Sequence, residues 1–280
     1  MKLLRIGEPG RERPAAIDGT GVLRDLSAHI SDVDATALSD SGLAALRRLN
    51  LDAQPIVLPG SRIGPCVANV GKFICIGLNY VDHAAEAGMA LPEEPPIFLK
   101  ATSSISGPDD DVVLPKTSTH GDWEIELGFV IGTKASYVAE AGALAYVAGY
   151  FTANDVSERD FQLNRGGQWT KGKSCDTFGP IGPWLVTADE VPDPQKLKLH
   201  LAVNGETMQS GSTANMVFGV AKLVSYLSQF MTLFPGDIVS TGTPSGVGLG
   251  RKPPVYLKAG DRITASVEGL GEQNQLVVAG

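Results

Sequence analysis

Cysteine is scarce in this chain of 280 residues: only Cys66, Cys75 and Cys175 are present. An odd number without metal-ligand spacing gives neither a disulfide framework nor a zinc site, and it points to a reducing cytoplasm. Basic side chains number 23 against 31 acidic ones, a formal charge of −8. They form no stripe, which argues against a nucleic-acid partner, because phosphate binding needs clustered Lys and Arg. No run of 18 apolar residues occurs, so no membrane partner is expected. The first ten residues carry charge too early, and too short an apolar stretch, for a signal peptide. Histidine is limited to four residues. Charged residues make up only 19% against 43% hydrophobic, so a sizeable core can form. The length suits one large domain or a large one with a smaller neighbour.

Glycine and proline are plentiful, 33 and 18 residues, and they interrupt short apolar runs. Strands are short and each needs a turn, so this texture predicts a mainly β fold with a few short helices. Strands are expected over residues 2–6, 72–76, 97–100, 112–114, 123–131 and 147–156. Segments 196–203 and 206–209 flank Asn204-Gly205, the two positive-φ positions of a type I′ hairpin turn. Helices are expected over a segment ending at 49 and capped by Ser41, and over 81–88, 139–145 and 220–231. A Pro- and Gly-rich loop between 55 and 65 places a boundary near residue 70. It separates a small N-terminal domain, 1–70, from a catalytic domain, 71–280.

Gly167 to Ser174 matches the phosphate-loop pattern G-x-x-x-x-G-K-[ST]. That loop needs a strand before it and a helix after it, whose amides hold the phosphates. Gly179, Pro180, Gly182 and Pro183 follow too densely for a helix, and the segment before it reads as helical. Gly246-Val-Gly-Leu-Gly250 fails similarly before Pro253-Pro254. No nucleotide site is expected.

The run from Asp122 to Phe129 alternates strictly. On a strand, Glu124 and Glu126 share one face about 6–7 Å apart, and Trp123, Ile125, Leu127 and Phe129 share the other. Two such charges repel unless water or a cation intervenes; a solvated strand face would carry the same pattern. Asp155 ends a second apolar run, where it would either cap the next helix or join the two glutamates. Joined, the three make an all-oxygen site suited to Mg²⁺, Mn²⁺ or Ca²⁺ rather than zinc. Arg159 and Gln162 stand at i, i+3. With Lys173 they offer either a solvated surface or a grip on an anionic, oxygen-rich substrate. His83 and Glu86 stand at the same spacing on a short helix. A carboxylate beside imidazole fixes its tautomer and raises its basicity, as a general base requires, although a surface ion pair has the same spacing.

Together these stretches resemble the fumarylacetoacetate hydrolase family. The resemblance rests on Gly77-Leu-Asn-Tyr-Val-Asp-His-Ala-Ala-Glu86, Pro96 to Lys100, Asp122-Trp-Glu-Ile-Glu-Leu127 and Gly149 to Gln162. It continues through Trp169 to Lys173, Phe178 to Pro183, Val203-Asn-Gly-Glu206, Pro235-Gly-Asp237 and Thr241-Gly-Thr-Pro244. Their order, over residues 70 to 275, is far more specific than any one string. The resemblance implies a mixed β-sandwich roll behind a small N-terminal domain, usually a homodimer. It implies a Mg²⁺ or Mn²⁺ site at Glu124, Glu126 and Asp155, and a 2-oxo acid as small-molecule substrate.

In that family the H-x-x-E element is a lid over the substrate. Its presence here resembles the smaller acylpyruvase-like members, which hydrolyse the C–C bond of 2,4-dioxo acids. His83 with Glu86 would be the base, Lys173 and Gln162 would stabilise the oxyanion, and Arg159 and Thr243 would hold substrate oxygens. Overall similarity leans towards a 2,4-dioxo-3-deoxy sugar acid, as in rhamnonate or fuconate breakdown. Oxaloacetate decarboxylation, dienoate isomerisation and ureidoglycolate lysis remain open on the same scaffold, as does a non-catalytic metal-dependent binder of dicarboxylates or sugar acids.

Overall fold

Runs rich in Val, Ile and Phe form the strands, and the turns fall where Gly, Pro and Asn-Gly stand. The computed structural model describes Met1–Gly280 and is mostly β-structure. Its nine-stranded sheet runs, in spatial order, Leu23–Asp25, Arg13–Ile17, Lys2–Ile6, Leu185–Thr187, Val147–Asn154, Ile125–Ile131, Ile238–Ser240, Phe73–Ile76 and Ile97–Lys100. A second sheet has five strands: Glu206–Ser212, Lys198–Val203, Arg262–Val267, Gly271–Ala279 and Val112–Leu114. The hairpin turn lies where the Asn-Gly pair predicts it, with φ of 53° at Asn204 and 80° at Gly205.

The strand Ile125–Ile131 is buried along its whole length because both faces of the large sheet are covered. Its odd-numbered residues Ile125, Leu127, Phe129 and Ile131 point into a core shared with Leu201, Val203, Ile263 and Ala265 of the small sheet and with the helix Val220–Phe230. Val130, on the other face, packs in a second core with Phe73, Phe151 and Ile238. Gly128 belongs to that face too, and a Cβ there would meet the Phe151 ring at 2.2 Å. Glu124 and Glu126 continue this second face beyond the end of its core.

The segments on either side of residue 70 share the large sheet. Lys2 and Leu3 pair with Val186 and Leu185, and Leu3, Leu26, Leu38 and Leu43 fill the second core together with Phe151 and Ile181.

Several local expectations are corrected. The first helix is Asp40–Leu46 and is capped by Ser39, whose hydroxyl accepts from the Gly42 N–H at 3.1 Å; Ser41 lies inside it. Glu140–Tyr146 is a 3₁₀ helix. The expected strand over 123–131 is split: Gly121–Asp122 pairs with Ser157–Glu158, and the long strand starts only at Ile125.

Leu3→Ala is expected to cost about 2–5 kcal/mol, as for other fully buried leucines. It should do so within one denaturant transition; two transitions would show that the first 70 residues unfold separately.

Candidate active site

Strand pairing brings the acids together. Ala153 lies opposite Glu126 and Asn154 opposite Ile125, so the end of one strand meets the start of the other. The Asp155 N–H donates to the Glu124 carbonyl at 2.8 Å, and the Glu124 N–H donates to Asn154 Oδ1 at 3.1 Å. As a result Glu124, Glu126 and Asp155, all buried, offer carboxylate oxygens within 4.8 Å of one another. Asp155 therefore joins the glutamates rather than capping a helix; Glu158 caps the helix Arg159–Leu163.

Cations converge on these acids. Lys173 Nζ donates to Glu124 Oε2 at 2.6 Å and to Asp155 Oδ2 at 2.7 Å. Lys100 Nζ takes the other Asp155 oxygen at 2.6 Å. Arg159 Nε donates to Asp122 Oδ2 at 2.8 Å and Nη1 to Gln162 Oε1 at 3.0 Å. Its Nη2 lies 2.7 Å from Glu124 Oε1 as an ion pair outside hydrogen-bond alignment. Glu126 receives only neutral donors, the Ser240 hydroxyl and the Gly242 N–H. Burial would raise the Glu124 carboxyl, but Lys173 and Arg159 outweigh it and hold the group well below the carboxylate range. Glu126 is pushed well above that range by burial and by repulsion from Asp155 and Glu124. Four carboxylates thus meet three cations. A buried, all-oxygen cluster in which Glu126 has no cationic partner fits a hard divalent ion.

His83 sits on the helix Val81–Ala87, which Gly88 ends in the left-handed conformation at φ 66°. Its Nδ1 is 3.3 Å from Glu86 Oε2. Glu86 Oε1 accepts from the Gly246 N–H at 2.9 Å, and Asp82 accepts from the Ser245 hydroxyl at 3.2 Å. Two acids on one helix turn therefore anchor it to the loop carrying Gly246. A Cβ at Gly250 would come within 2.4 Å of the Glu86 carboxyl carbon, so the loop passes close over the helix.

A cavity of about 520 Å³ gathers His83, Glu86, Glu124, Glu126, Arg159, Gln162, Lys173 and Thr243 in its wall. Asp155 stands directly behind, covered by Lys173 and Lys100. Thr243 lines the cavity with its hydroxyl already engaged, donating to the Ile125 carbonyl and accepting from Gln209. In the phosphate-loop look-alike, Thr170–Lys173 is itself a short helix, and Lys173 is turned inward to the acids. Residues 72–278 match the fumarylacetoacetate (FAA) hydrolase C-terminal family model.

The chain belongs to the fumarylacetoacetate hydrolase family. A Burkholderia multivorans protein described no further than as a hydrolase is 61% identical over 280 residues, covering 100% of this chain and 99% of its own. The structure of a fumarylacetoacetate hydrolase from Exiguobacterium antarcticum is 36% identical with a TM-score of 0.89, covering 100% of both chains. A maleylpyruvate hydrolase from Sphingobium sp. SYK-6, in complex with manganese(II) and pyruvate, is 30% identical with a TM-score of 0.84, again over 100% of both chains. A 2-hydroxyhepta-2,4-diene-1,7-dioate isomerase from Mycobacterium marinum is 33% identical with a TM-score of 0.80, over 100% of this chain and 98% of its own. The family thus includes hydrolases and isomerases of small molecules.

Sequence reasoning missed Lys100, Asp122 and Ser240. Asp122 accepts from the Gly248 and Leu249 amides as well as from Arg159, so it ties the loop to the cluster. A lysine ending an apolar strand and an acid opening one were the available signals. Glu126→Gln is expected to abolish binding of Mg²⁺ and Mn²⁺ in titration calorimetry; binding that survives would remove Glu126 from the ion site.

Proposed function

We propose that the chain is a divalent-metal-dependent hydrolase that splits the C3–C4 bond of 2,4-dioxo acids, releasing pyruvate and a carboxylic acid. The observation that carries this reading is a carboxylate-braced imidazole, His83 with Glu86, in the same cavity as buried acids suited to a metal. The manganese(II) and pyruvate held by the Sphingobium enzyme support it.

Glu124, Glu126 and Asp155 would hold Mg²⁺ or Mn²⁺. When bound, the ion supplies Lewis acidity that stabilises enolate charge on a 2-oxo acid. Glu86, fixed by Gly246, accepts from His83 Nδ1 and leaves Nε2 as the basic nitrogen. Nε2 takes a proton from water as the water oxygen adds to the C4 carbonyl. The C3–C4 bond then breaks, and its electron pair passes into the pyruvate enolate, which takes a proton at C3. Gln162 and Lys173 would stabilise the charge developing on the C4 oxygen. Arg159, clamped by Asp122, adds a fixed positive wall for substrate oxygens. Thr243 would contribute its backbone N–H, which makes no bond within the chain. Met89, Leu163, Leu249 and Pro254 also line the cavity and offer no side-chain donors to sugar hydroxyls. These side chains suit the acyl end of an acylpyruvate. A cytoplasmic homodimer completes this reading.

The Mycobacterium marinum isomerase favours a second reading, in which His83 carries a proton between two carbons and no water is added. Products separate the two. With Mn²⁺ or Mg²⁺, 2,4-dioxopentanoate should give equal amounts of pyruvate and acetate. His83→Ala should lower kcat by about 10²–10⁴-fold while calorimetry shows metal affinity nearly unchanged. Equal loss of both would mean that His83 is not the base.

A further inference from the structure

Two cations in the cavity wall are left without firm partners. Arg159 and Lys173, deep in the cavity, are tied to Asp122, Glu124 and Asp155. Arg251 and Lys252 line the same cavity but lie towards solvent, Arg251 half-buried and Lys252 exposed. The Arg251 Nε is buried with no hydrogen-bond partner. The one acid within ion-pair reach of its guanidinium is the exposed Glu206, at 3.7 Å from Nη1. Lys252 has no acid within that reach. Glu86, the remaining acid of the wall, is already held by Gly246 and His83.

Burial orders the cavity from acids suited to a metal at its depth to free cations at its mouth, with Met89, Leu249 and Pro254 also in the wall. At about 520 Å³ it is several times larger than the pyruvoyl part of a dioxo acid. A guanidinium with unused donors presents a fork matched to a carboxylate, and a neighbouring ammonium adds a point charge. On a chain of net charge −8, such a pair offsets the repulsion that a dianionic ligand would otherwise meet.

We infer that Arg251 and Lys252 form a second anion subsite, which receives the distal carboxylate of a 2,4-dioxo diacid. This rests on the deep end being the 2-oxo acid site proposed above. The reaction keeps its balance: 2,4-dioxoheptanedioate and water give pyruvate and succinate, with the new C–O bond at C4 and the new C–H bond at C3 of pyruvate.

The test uses two acids that lack the C4 carbonyl and so cannot be cleaved, 2-oxoheptanedioate and 2-oxoheptanoate. They have the same chain length and differ only in the distal carboxylate. Titration calorimetry on the Mn²⁺-loaded protein should show the diacid binding more tightly by about tenfold or more. Added salt should shrink that ratio, because the subsite faces solvent. The double variant Arg251→Gln/Lys252→Gln should bring the ratio close to one at an unchanged Tm, and Arg251→Lys should keep part of it.

A wild-type ratio of one, or a ratio that survives in the double variant, overturns the inference. Equal weakening of both acids also overturns it, because the two cations would then hold the 1-carboxylate. Failure of both acids to bind overturns the subsite and the 2-oxo acid site together. Pyruvate release from 2,4-dioxoheptanedioate is followed in parallel. Its absence with the binding ratio intact would sink the hydrolase reading and leave the subsite standing.

Discussion

Three carboxylates buried within 4.8 Å of one another repel strongly, and much of the architecture around them answers that repulsion. Lys173 arrives on the helix Thr170–Lys173, Lys100 at the end of the sheet's edge strand, and Arg159 at the start of the helix Arg159–Leu163. Each of these elements is pinned to one point by its own charge. The approach is close: a Cβ at Gly172 would lie 2.3 Å from the Glu158 carbonyl oxygen, so only glycine lets this helix seat Lys173. Removing one partner of such a buried pair typically costs about 3–5 kcal/mol, because the other charge is left stranded. Glu126, which has only neutral donors, is the member to which the chain brings no cation.

The loop from Ser245 to Gly250 links the two halves of the site. Its Gly246 amide holds Glu86, and its Gly248 and Leu249 amides hold Asp122, which in turn holds Arg159. The imidazole and the acid cluster thus share one support although they come from distant stretches of chain. The strand ends form a floor that the sheet fixes, whereas Arg251 and Lys252 stand on the loop at the rim. Changes at the rim therefore leave the floor in place, which accords with one scaffold serving hydrolases and isomerases.

Much of this was legible in the sequence because its signals were local. Alternation around Glu124 and Glu126 separated an apolar face from an acidic one, Asn204-Gly205 marked its hairpin, and i, i+3 spacing joined His83 to Glu86. What was not legible depended on distant partners. Lys100 reads as the end of an ordinary strand until Asp155, 55 residues on, is seen against it. Asp122 was read as the edge of a strand, yet it binds amides 126 and 127 residues away. The break at Trp123 and Glu124 was hidden for a similar reason, since pairing of Gly121–Asp122 with Ser157–Glu158 interrupts a pattern that alternates without a gap. Ser39 and Ser41 both suit a helix cap, and only the path of the backbone into the helix chooses between them.

The family match begins at residue 72, but the second core does not. Leu3, Leu26, Leu38 and Leu43 lie against Phe151 and Ile181, on the face of the sheet that also carries the acids. A fragment trimmed to the matched segment would leave that face wet and apolar, behind a set of mutually repelling acids. The opening 70 residues thus back the sheet whose strand ends carry the acids, and their removal would be felt as insolubility before any loss of chemistry could be measured.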